Sequence, residues 1–147
     1  MKVRMMALAL VVAGCAALGM VAVSAHAAAP MGHFTDPGDG TVLDNVTGLH
    51  WQKDFAVDAM SRDSARSVCM GMGAGWRLPT ILELRSIVDE SVYNPSIDPV
   101  FTTARLAHFW SDSSVAGSTT NGWSIDFYIG NASSDAFTSL NSVRCVH

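Results

Sequence analysis

The sequence has 147 residues, of which 49% are hydrophobic and 15% are charged, and its formal net charge is −4. This length fits one domain with an ordinary core, and four Trp without a glycine period or a heptad array exclude the collagen-like, coiled-coil and disordered classes. Nine Lys and Arg without a basic cluster argue against a nucleic-acid partner, because phosphate neutralisation needs clustered positive charge.

The first 27 residues have the pattern of a signal peptide. Residues 5–23 are an uncharged run of 19 residues after Lys2 and Arg4, and the small-x-small pattern at residues 25–27 predicts cleavage before Ala28. Residues 28–33 are then a flexible start, and residues 34–147 form one domain. Loss of Lys2 and Arg4 leaves a net charge of −6, so we expect an acidic domain exported to the periplasm or the extracellular space.

Two other interpretations of this leader stay open. An apolar run of 19 residues is long enough to span a bilayer, so the leader could remain as an uncleaved anchor. Residues 12–15, Val-Ala-Gly-Cys, resemble a bacterial lipobox, which would make Cys15 a lipidated N-terminus. Contact with a membrane is expected only in these two cases.

Cleavage would leave two cysteines, Cys69 and Cys145. Two cysteines allow one pairing, and an exported chain meets an oxidising compartment. A bridge between them would close about 75 residues and stabilise the fold by roughly 4 kcal/mol. The alternatives are two buried free thiols, which behave as small apolar groups, and a catalytic thiol.

The mature chain begins with a predicted β-meander. Residues 34–36 and 41–44 flank an Asp-Gly turn, and a second turn at residues 45–48 leads into a strand over residues 49–53. The oxygens of Asp36, Asp39 and Asp44 could hold a calcium ion, but their spacing differs from the EF-hand loop. Turn formation, which Asp favours, explains these residues without a metal.

The first predicted helix begins after Ser61, which can cap it, and ends at the glycine-rich segment 71–75. Its buried face consists of four apolar residues at helical spacing: Ala65, Val68, Cys69 and Met72. The glycine-rich segment lacks the Lys-Ser/Thr of a phosphate loop, so it indicates the end of a helix rather than a nucleotide site.

The second predicted helix begins at a capping box. The Thr80 side chain can accept a hydrogen bond from a free backbone N–H, and Glu83 can reach back to the cap. Ile81, Leu84 and Val88 would form its buried face.

The remaining elements are predicted from turns and alternation. Residues 93–99 are rich in turn signals, residues 109–111 suit a short buried strand, and residues 112–122 have the composition of an exposed loop. Apolar residues alternate over 123–129, which predicts a half-buried strand; a turn at 130–131 and strands over 136–140 and 143–146 follow. Strands, two helices and further strands predict an α+β fold.

The sequence contains no established catalytic or metal-binding pattern. His33, His50, His108 and His147 are scattered, and neither an HExxH motif nor a GxSxG nucleophile elbow occurs. We therefore expect no metal and no cofactor. The four Trp, at positions 51, 76, 110 and 123, are predicted to pack in the core rather than to stack on sugars.

Polar residues between positions 111 and 142 are the best candidates for a binding surface. Tyr with Ser, Asn and Gly is the composition of adaptable binding loops, although ordinary loops share it. The candidate ligand-binding residues are Ser111, Asp112, Asn121, Asp126, Tyr128, Asn131, Asp135 and Asn141.

Five segments together resemble the C-terminal domain of the Legionella collagen-like adhesin, a domain of unknown function. They are FTDPGDGTVLDNVTGLHW (34–51), WRLPT followed by EL (76–84), FWS (109–111), WSIDF (123–127) and VRCV (143–146), in the family's order. The residues of these motifs that we expect to be structural are Trp51, Trp76, Arg77, Leu78, Pro79, Thr80, Glu83, Trp110, Trp123 and Arg144. Arg77 would brace the fold through carbonyl groups or Glu83, because Arg carries five donors.

The resemblance implies a C-type-lectin-like fold with two helices packed on a small, twisted, mostly antiparallel sheet. It also implies that Cys69 pairs with Cys145. The expected function is a non-enzymatic binding or adhesion module for an extracellular ligand, either a glycan or a protein. Because the fold is related to formylglycine-generating oxidases, which hold copper with two reactive cysteines, such an enzyme is one alternative, and a structural envelope component is another. Gly75 replaces an Asp usual in the family, and the acidic charge argues against sulfated glycans.

Overall fold

The computed structural model describes residues 31–102 and 108–147. The predicted signal peptide, the alternative anchor and Cys15 lie outside the described residues, as do the first three residues of the flexible start.

A three-stranded antiparallel sheet opens the described chain, as predicted. Its strands are β1 (Phe34–Thr35), β2 (Thr41–Asp44) and β3 (His50–Gln52), in the order β1-β2-β3. Gly40 and Gly48, in the two turns, have φ angles of 88° and 76°, which a residue without a Cβ adopts without strain. The outer side of β3 contacts the end of the chain, because Trp51 forms a bridge with Val146.

The next strand, β4 (Ala56–Met60), was not predicted from the sequence. Helix α1 (Arg62–Gly71) follows, with Ser61 as its N-cap as predicted. Its buried residues are Arg62, Ala65 and Cys69, whereas Val68 and Met72 are exposed. The predicted apolar face was therefore wrong at two positions. Val68 is exposed because the buried side of the helix is rotated towards Arg62, and Met72 is exposed because it follows the last helical residue.

Helix α2 (Ile81–Ser86) begins with the predicted capping box. The Thr80 side chain accepts a hydrogen bond from Glu83 N, and the Glu83 carboxylate accepts one from Thr80 N. Leu84 and the C-cap residue Ile87 are buried, and Ile81 is half-buried. The helix has six residues, so packing of this apolar side and the cap stabilise it rather than its length.

The second sheet has five strands in the order β4-β8-β5-β6-β7. Its remaining strands are β5 (His108–Ser114), β6 (Asn121–Asp126), β7 (Asn131–Ala136) and β8 (Asn141–Val143). β8 is parallel to β5, and the other neighbours are antiparallel. The described chain is thus an α+β fold with two helices and two open sheets, one of them mixed.

Several late boundaries differ from the predictions. The predicted loop over 112–122 was wrong at both ends, because β5 continues to Ser114 and β6 begins at Asn121. The strand predicted over 123–129 ends at Asp126, and Ser124 is as buried as Ile125 because both faces of the sheet are covered. The strands predicted over 136–140 and 143–146 were misplaced, because β7 ends at Ala136 and β8 ends at Val143, so each shares one residue with its prediction.

Two apolar clusters cover opposite faces of the second sheet. Phe109 belongs to a cluster with Leu84, Ile125 and other buried residues, whereas its neighbour Trp110 belongs to a cluster around Cys69. Successive strand residues point to opposite faces, so this pair assigns one cluster to each side. The second cluster contains the Cys69–Cys145 disulfide, which joins α1 to the end of the chain across 76 positions.

Arg144, beside this disulfide, is a buried cation. Its Nη1 donates hydrogen bonds to the carbonyls of Gln52 and Lys53, and its Nη2 donates to the Thr102 carbonyl at 2.7 Å. The guanidinium also lies 5.0 Å from the centre of the Phe101 ring. Burial lowers the pKa of Arg144 to about 9, so the side chain remains charged at neutral pH. It ties the end of the chain to two earlier segments.

Candidate functional site

A groove lies where the loop after α2 meets the β6–β7 turn. Asn94 N donates to the Tyr128 carbonyl at 2.9 Å, and Ser96 N donates to the Phe127 carbonyl at 2.7 Å. Two adjoining cavities of about 390 and 400 Å³ border this contact, with Val92 and Tyr93 forming their shared wall. We call the two together the Tyr93 groove. Its other lining residues are Arg85, Glu90, Ser96, Ile129, Gly130 and Asn131 in the first cavity, and Pro95, Ile97, Pro99 and Phe101 in the second.

The rim of the groove carries several exposed apolar side chains. The exposed fraction is 77% for Tyr93 and 50% for Ile129, and Val92 is also exposed. Contiguous exposed apolar groups mark interaction sites more often than inert surface. Each cavity also has the volume of a small-ligand site, about 300–1,000 Å³.

Local hydrogen bonds hold the two walls in place. The Asp89 carboxylate accepts from Ser91 N at 2.8 Å, and the Asp126 carboxylate accepts from Tyr128 N at 2.8 Å. Gly130 has a φ angle of 75°, and a Cβ there would lie 2.8 Å from Val88 Cγ1. Ile97 and Phe101, at the base, are buried in the core. The groove is therefore part of the folded scaffold.

The groove combines aromatic rings with several kinds of hydrogen-bonding group. Arg85 and Glu90 are both exposed and are 3.3 Å apart between Nη2 and Oε1. Asn131 adds an exposed amide, and the Ser96 hydroxyl is 3.4 Å from the Tyr128 carbonyl. The groove thus offers a cation, a carboxylate, an amide and the Tyr93 side chain to a ligand.

The eight candidate binding residues do not form one surface. Asn131 lines the Tyr93 groove, and Asp126 and Tyr128 belong to the adjoining β6–β7 turn. Asp112, which pairs with Arg66, and Asn121 lie towards the other end of β6. Six residues of a β-strand span about 20 Å, so one small ligand would not reach both ends.

The other candidate residues have internal roles. Ser111 is fully buried and donates to the Trp123 carbonyl at 2.6 Å. Asn141 is also buried, and its Nδ2 donates to Asp135 Oδ2 at 2.9 Å. Neither side chain lies on an accessible surface.

Asp135 is the centre of a polar cluster with His108, Ser124 and Asn141. Its Oδ2 accepts from the Ser124 hydroxyl and lies 3.1 Å from His108 Nδ1. Burial raises the pKa of Asp135, but the hydrogen bonds from Ser124, His108 and Asn141 outweigh this effect and lower it below the ordinary value.

This cluster has the residue types of a hydrolase triad without its geometry. A triad histidine contacts serine and aspartate through different ring nitrogens, whereas here Nδ1 alone faces both. Ser124 is also fully buried, so a substrate would not reach its oxygen. The cluster stabilises the sheet through internal hydrogen bonds.

The WRLPT segment is joined to α2 by an ion pair. Arg77 donates to Glu83 through Nη1 at 2.8 Å and Nη2 at 2.6 Å, so the contact expected for Arg77 is present. The Arg77 hydrogen bonds, opposed by burial and aided by Thr80, lower the pKa of Glu83 to about 2. Leu78 and Pro79 are buried beneath this pair.

Two of the four Trp are fully buried, at positions 51 and 110, and the other two, at positions 76 and 123, are half-buried. Trp110 Nε1 donates to the Met60 carbonyl at 2.7 Å. The predicted packing in the core is therefore confirmed for Trp51 and Trp110, and Trp76 packs partly, at the edge of the disulfide cluster.

The acidic residues of the first sheet serve its turns. Asp36 accepts from Gly38 N and Asp39 accepts from Thr41 N, each at 2.9 Å, and Asp44 accepts from Val46 N. Within 31–102 and 108–147, no three His, Cys, Asp or Glu side chains gather in a way that would hold a metal ion. No helix in those ranges has the length and hydropathy to cross a membrane.

Sequence reasoning missed the Tyr93 side of the groove. The prediction of turns over residues 93–99 is confirmed, but the candidate binding residues do not include Tyr93. An exposed Tyr in a long irregular connection was the available signal, since binding residues concentrate in loops on a rigid scaffold.

A family model described as the Lcl C-terminal domain matches residues 40–147. The chain belongs to the Lcl C-terminal domain family. This confirms the resemblance found in the five sequence segments. The matched range includes both helices, strands β2 to β8, the disulfide and the whole Tyr93 groove, so every element discussed above except β1 belongs to the Lcl C-terminal domain. No curated protein matches the sequence.

Proposed function

We propose that this Lcl C-terminal domain is an exported, non-enzymatic binding module of C-type-lectin-like fold, and that its ligand binds in the Tyr93 groove. The lectin-like fold is supported by the way the opening and closing segments meet, with Trp51 paired to Val146. It is also supported by two helices on a mixed sheet and by the bridge from α1 to the end of the chain.

The observation that carries the proposed binding role is the apolar rim of a preformed groove. Tyr93 and Ile129 remain in contact with water, whereas 16 hydrophobic side chains among residues 31–102 and 108–147 are buried completely or nearly so. Their exposure costs free energy that a bound partner would recover, and Tyr is frequent among residues that dominate binding. The neighbouring Arg85, Glu90 and Asn131 would orient a glycan or a polypeptide.

Export is supported by two independent features. The leader has the charge and hydropathy pattern of a signal peptide. The buried Cys69–Cys145 bridge is a bond that persists in oxidising compartments and is rare in the cytosol. We therefore propose a periplasmic or extracellular location. A copper-holding oxidase would use cysteine thiolates, and neither sulfur of the Cys69–Cys145 disulfide is a thiolate.

The test is binding of the purified protein to a glycan array and to a peptide array, with Tyr93→Ala and Tyr128→Ala as variants. Val46→Ala, another exposed apolar position but in the first sheet, is the matched control. We expect Tyr93→Ala to weaken binding by about tenfold or more while the melting temperature stays unchanged. Binding that survives both Tyr variants would move the site elsewhere, and no binding on either array would favour a structural envelope component.

A further inference from the structure

Strand β7 is an open edge of the five-stranded sheet. It pairs with β6 on one side, and no strand within residues 31–102 and 108–147 pairs with its other side. Its sequence, NASSDA, contains neither Lys nor Pro, and its register with β6 runs through six pairs without a bulge. Proteins normally block exposed edges with such residues or with a bulge. The opposite edge, β4, does have a register shift.

The register fixes which backbone groups of β7 face the open side. Phe137 N donates to the Thr120 carbonyl at 2.8 Å, so residues 135, 133 and 131 also bond to β6 because bonded pairs alternate. The N–H and C=O groups of Ala132 and Ser134 and the N–H of Ala136 therefore point outwards. The Ala136 carbonyl accepts from Ser139 N and is not free. Ala132, Ser134 and Ala136 are all exposed.

This edge runs directly into the Tyr93 groove. Ile129, Gly130 and Asn131 line the first cavity, and Ala132 follows them as the first residue with outward backbone groups. A chain lying along β7 would therefore bring one end to the groove. There its side chains would meet Tyr93 and Ile129, which are the most exposed apolar residues of the rim.

The chemistry of the edge selects its occupant. Donors and acceptors that alternate at strand spacing match an extended polypeptide backbone, and strand addition is a recurring mode of peptide recognition. A second copy pairing through β7 would bury six residues with small side chains on each side. A stable dimer buries about 800 Å² and about 20–30 residues on each partner, many more than the six residues of β7.

Resting on the proposed function, we propose that the ligand of the Tyr93 groove is an extended polypeptide segment. It adds to β7 as a sixth strand of the sheet, and a side chain at its end occupies the groove. Backbone hydrogen bonds to Ala132 and Ser134 hold the segment, and the apolar rim selects its end.

The first test uses a phage-displayed library of random 12-residue peptides, selected on protein expressed from the full 147-residue sequence. The binding of one selected peptide is then measured for Ser134→Pro and for its matched control Ser134→Ala. Proline removes the outward N–H but leaves the β6 ladder intact, as edge strands tolerate, whereas alanine keeps the N–H. We expect Ser134→Pro to bind about tenfold or more weakly and Ser134→Ala to bind like the parent. Equal binding by both variants would overturn the proposal.

The second test leaves the protein unchanged, so it holds even if Ser134→Pro fails to fold. Single N-methyl groups are placed at successive positions of the selected peptide. Strand addition requires loss of binding at alternate positions only, and a uniform effect would overturn it. Two outcomes would overturn this inference and leave the proposed function standing. One is peptide binding that Tyr93→Ala abolishes but that Ser134→Pro and N-methylation leave unchanged. The other is binding of glycans without binding of peptides. If the unaltered protein binds neither peptides nor glycans, the proposed function is overturned as well.

Discussion

Replacement of Glu83 by Gln is expected to weaken the fold through its charge and not through its shape. The carboxylate accepts hydrogen bonds from Arg77 Nη1 and Nη2, from Thr80 N at 2.8 Å and from the Thr80 hydroxyl at 3.0 Å. Gln keeps the size of the side chain and one carbonyl oxygen for the capping box. It loses the charge that Arg77 binds through two parallel hydrogen bonds.

The magnitude follows from the pKa of Glu83. A fall from 4.5 to about 2 corresponds to about 3 kcal/mol of preference for the charged form in the folded protein. The Arg77 side chain is 45% exposed, so solvent screening reduces this figure. We expect Glu83→Gln to lower the free energy of unfolding by about 1–2 kcal/mol at pH 7.

The pH dependence gives the reasoning its sharpest check. The folded pKa lies below the unfolded one, so the stabilisation is fully present above pH 4.5 and disappears as the pH falls towards 2. Urea denaturation at pH 7, 5, 3 and 2 should show a difference between parent and variant that shrinks over the last two points. Glu90→Gln, at an exposed carboxylate 3.3 Å from Arg85, should differ little at any pH. A Glu83→Gln deficit that stays constant from pH 7 to pH 2 would refute the charge argument.

Three further outcomes are expected. Reduction of the Cys69–Cys145 bridge, or its replacement by two Ser, should lower the free energy of unfolding by about 4 kcal/mol, and a loss below 1 kcal/mol in urea denaturation would contradict the loop-closure argument. Arg144→Met should cost about 3 kcal/mol, because three carbonyls lose their buried donor; a thermal melt equal to the parent's would mean that burying the charge already cancels those bonds. Gly130→Ala should lower the free energy of unfolding by about 2 kcal/mol and also weaken ligand binding, because the added Cβ would collide with Val88. Gly117 has a similar φ but open space around it, so Gly117→Ala should lower the free energy of unfolding by about 1 kcal/mol and leave binding unchanged.

The elements that could be predicted have local causes. The capping box at Thr80 and Glu83 gave the start of α2, and Ser61 gave the start of α1, because each cap acts within one helical turn. The first sheet could also be predicted, because its Asp-Gly and Thr-Gly turns are local as well. The disulfide followed from counting cysteines and from the family resemblance.

The elements that were missed or misplaced depend on distant partners. The sequence of β7 consists of Asn, Ala, Ser and Asp, which disfavour strands, and pairing with β6 holds it extended. The Tyr93 groove exists because Asn94 and Ser96 bond to residues more than 30 positions later in the chain. No local pattern encodes that contact, so Asn131 is the only lining residue of the groove among the candidates predicted from the sequence.

The position of Arg144 and its neighbours in the chain has a consequence for the timing of folding. Arg144 and Cys145 bond to Gln52 across 92 and 93 positions, and Val146 forms bridges with both Trp51 and Arg77. Contacts of such long range make folding slow, because the intervening loop must close before any of them forms. The contacts that join Trp51, Gln52 and Arg77 to residues 144–146 therefore form only after that late segment has been synthesised.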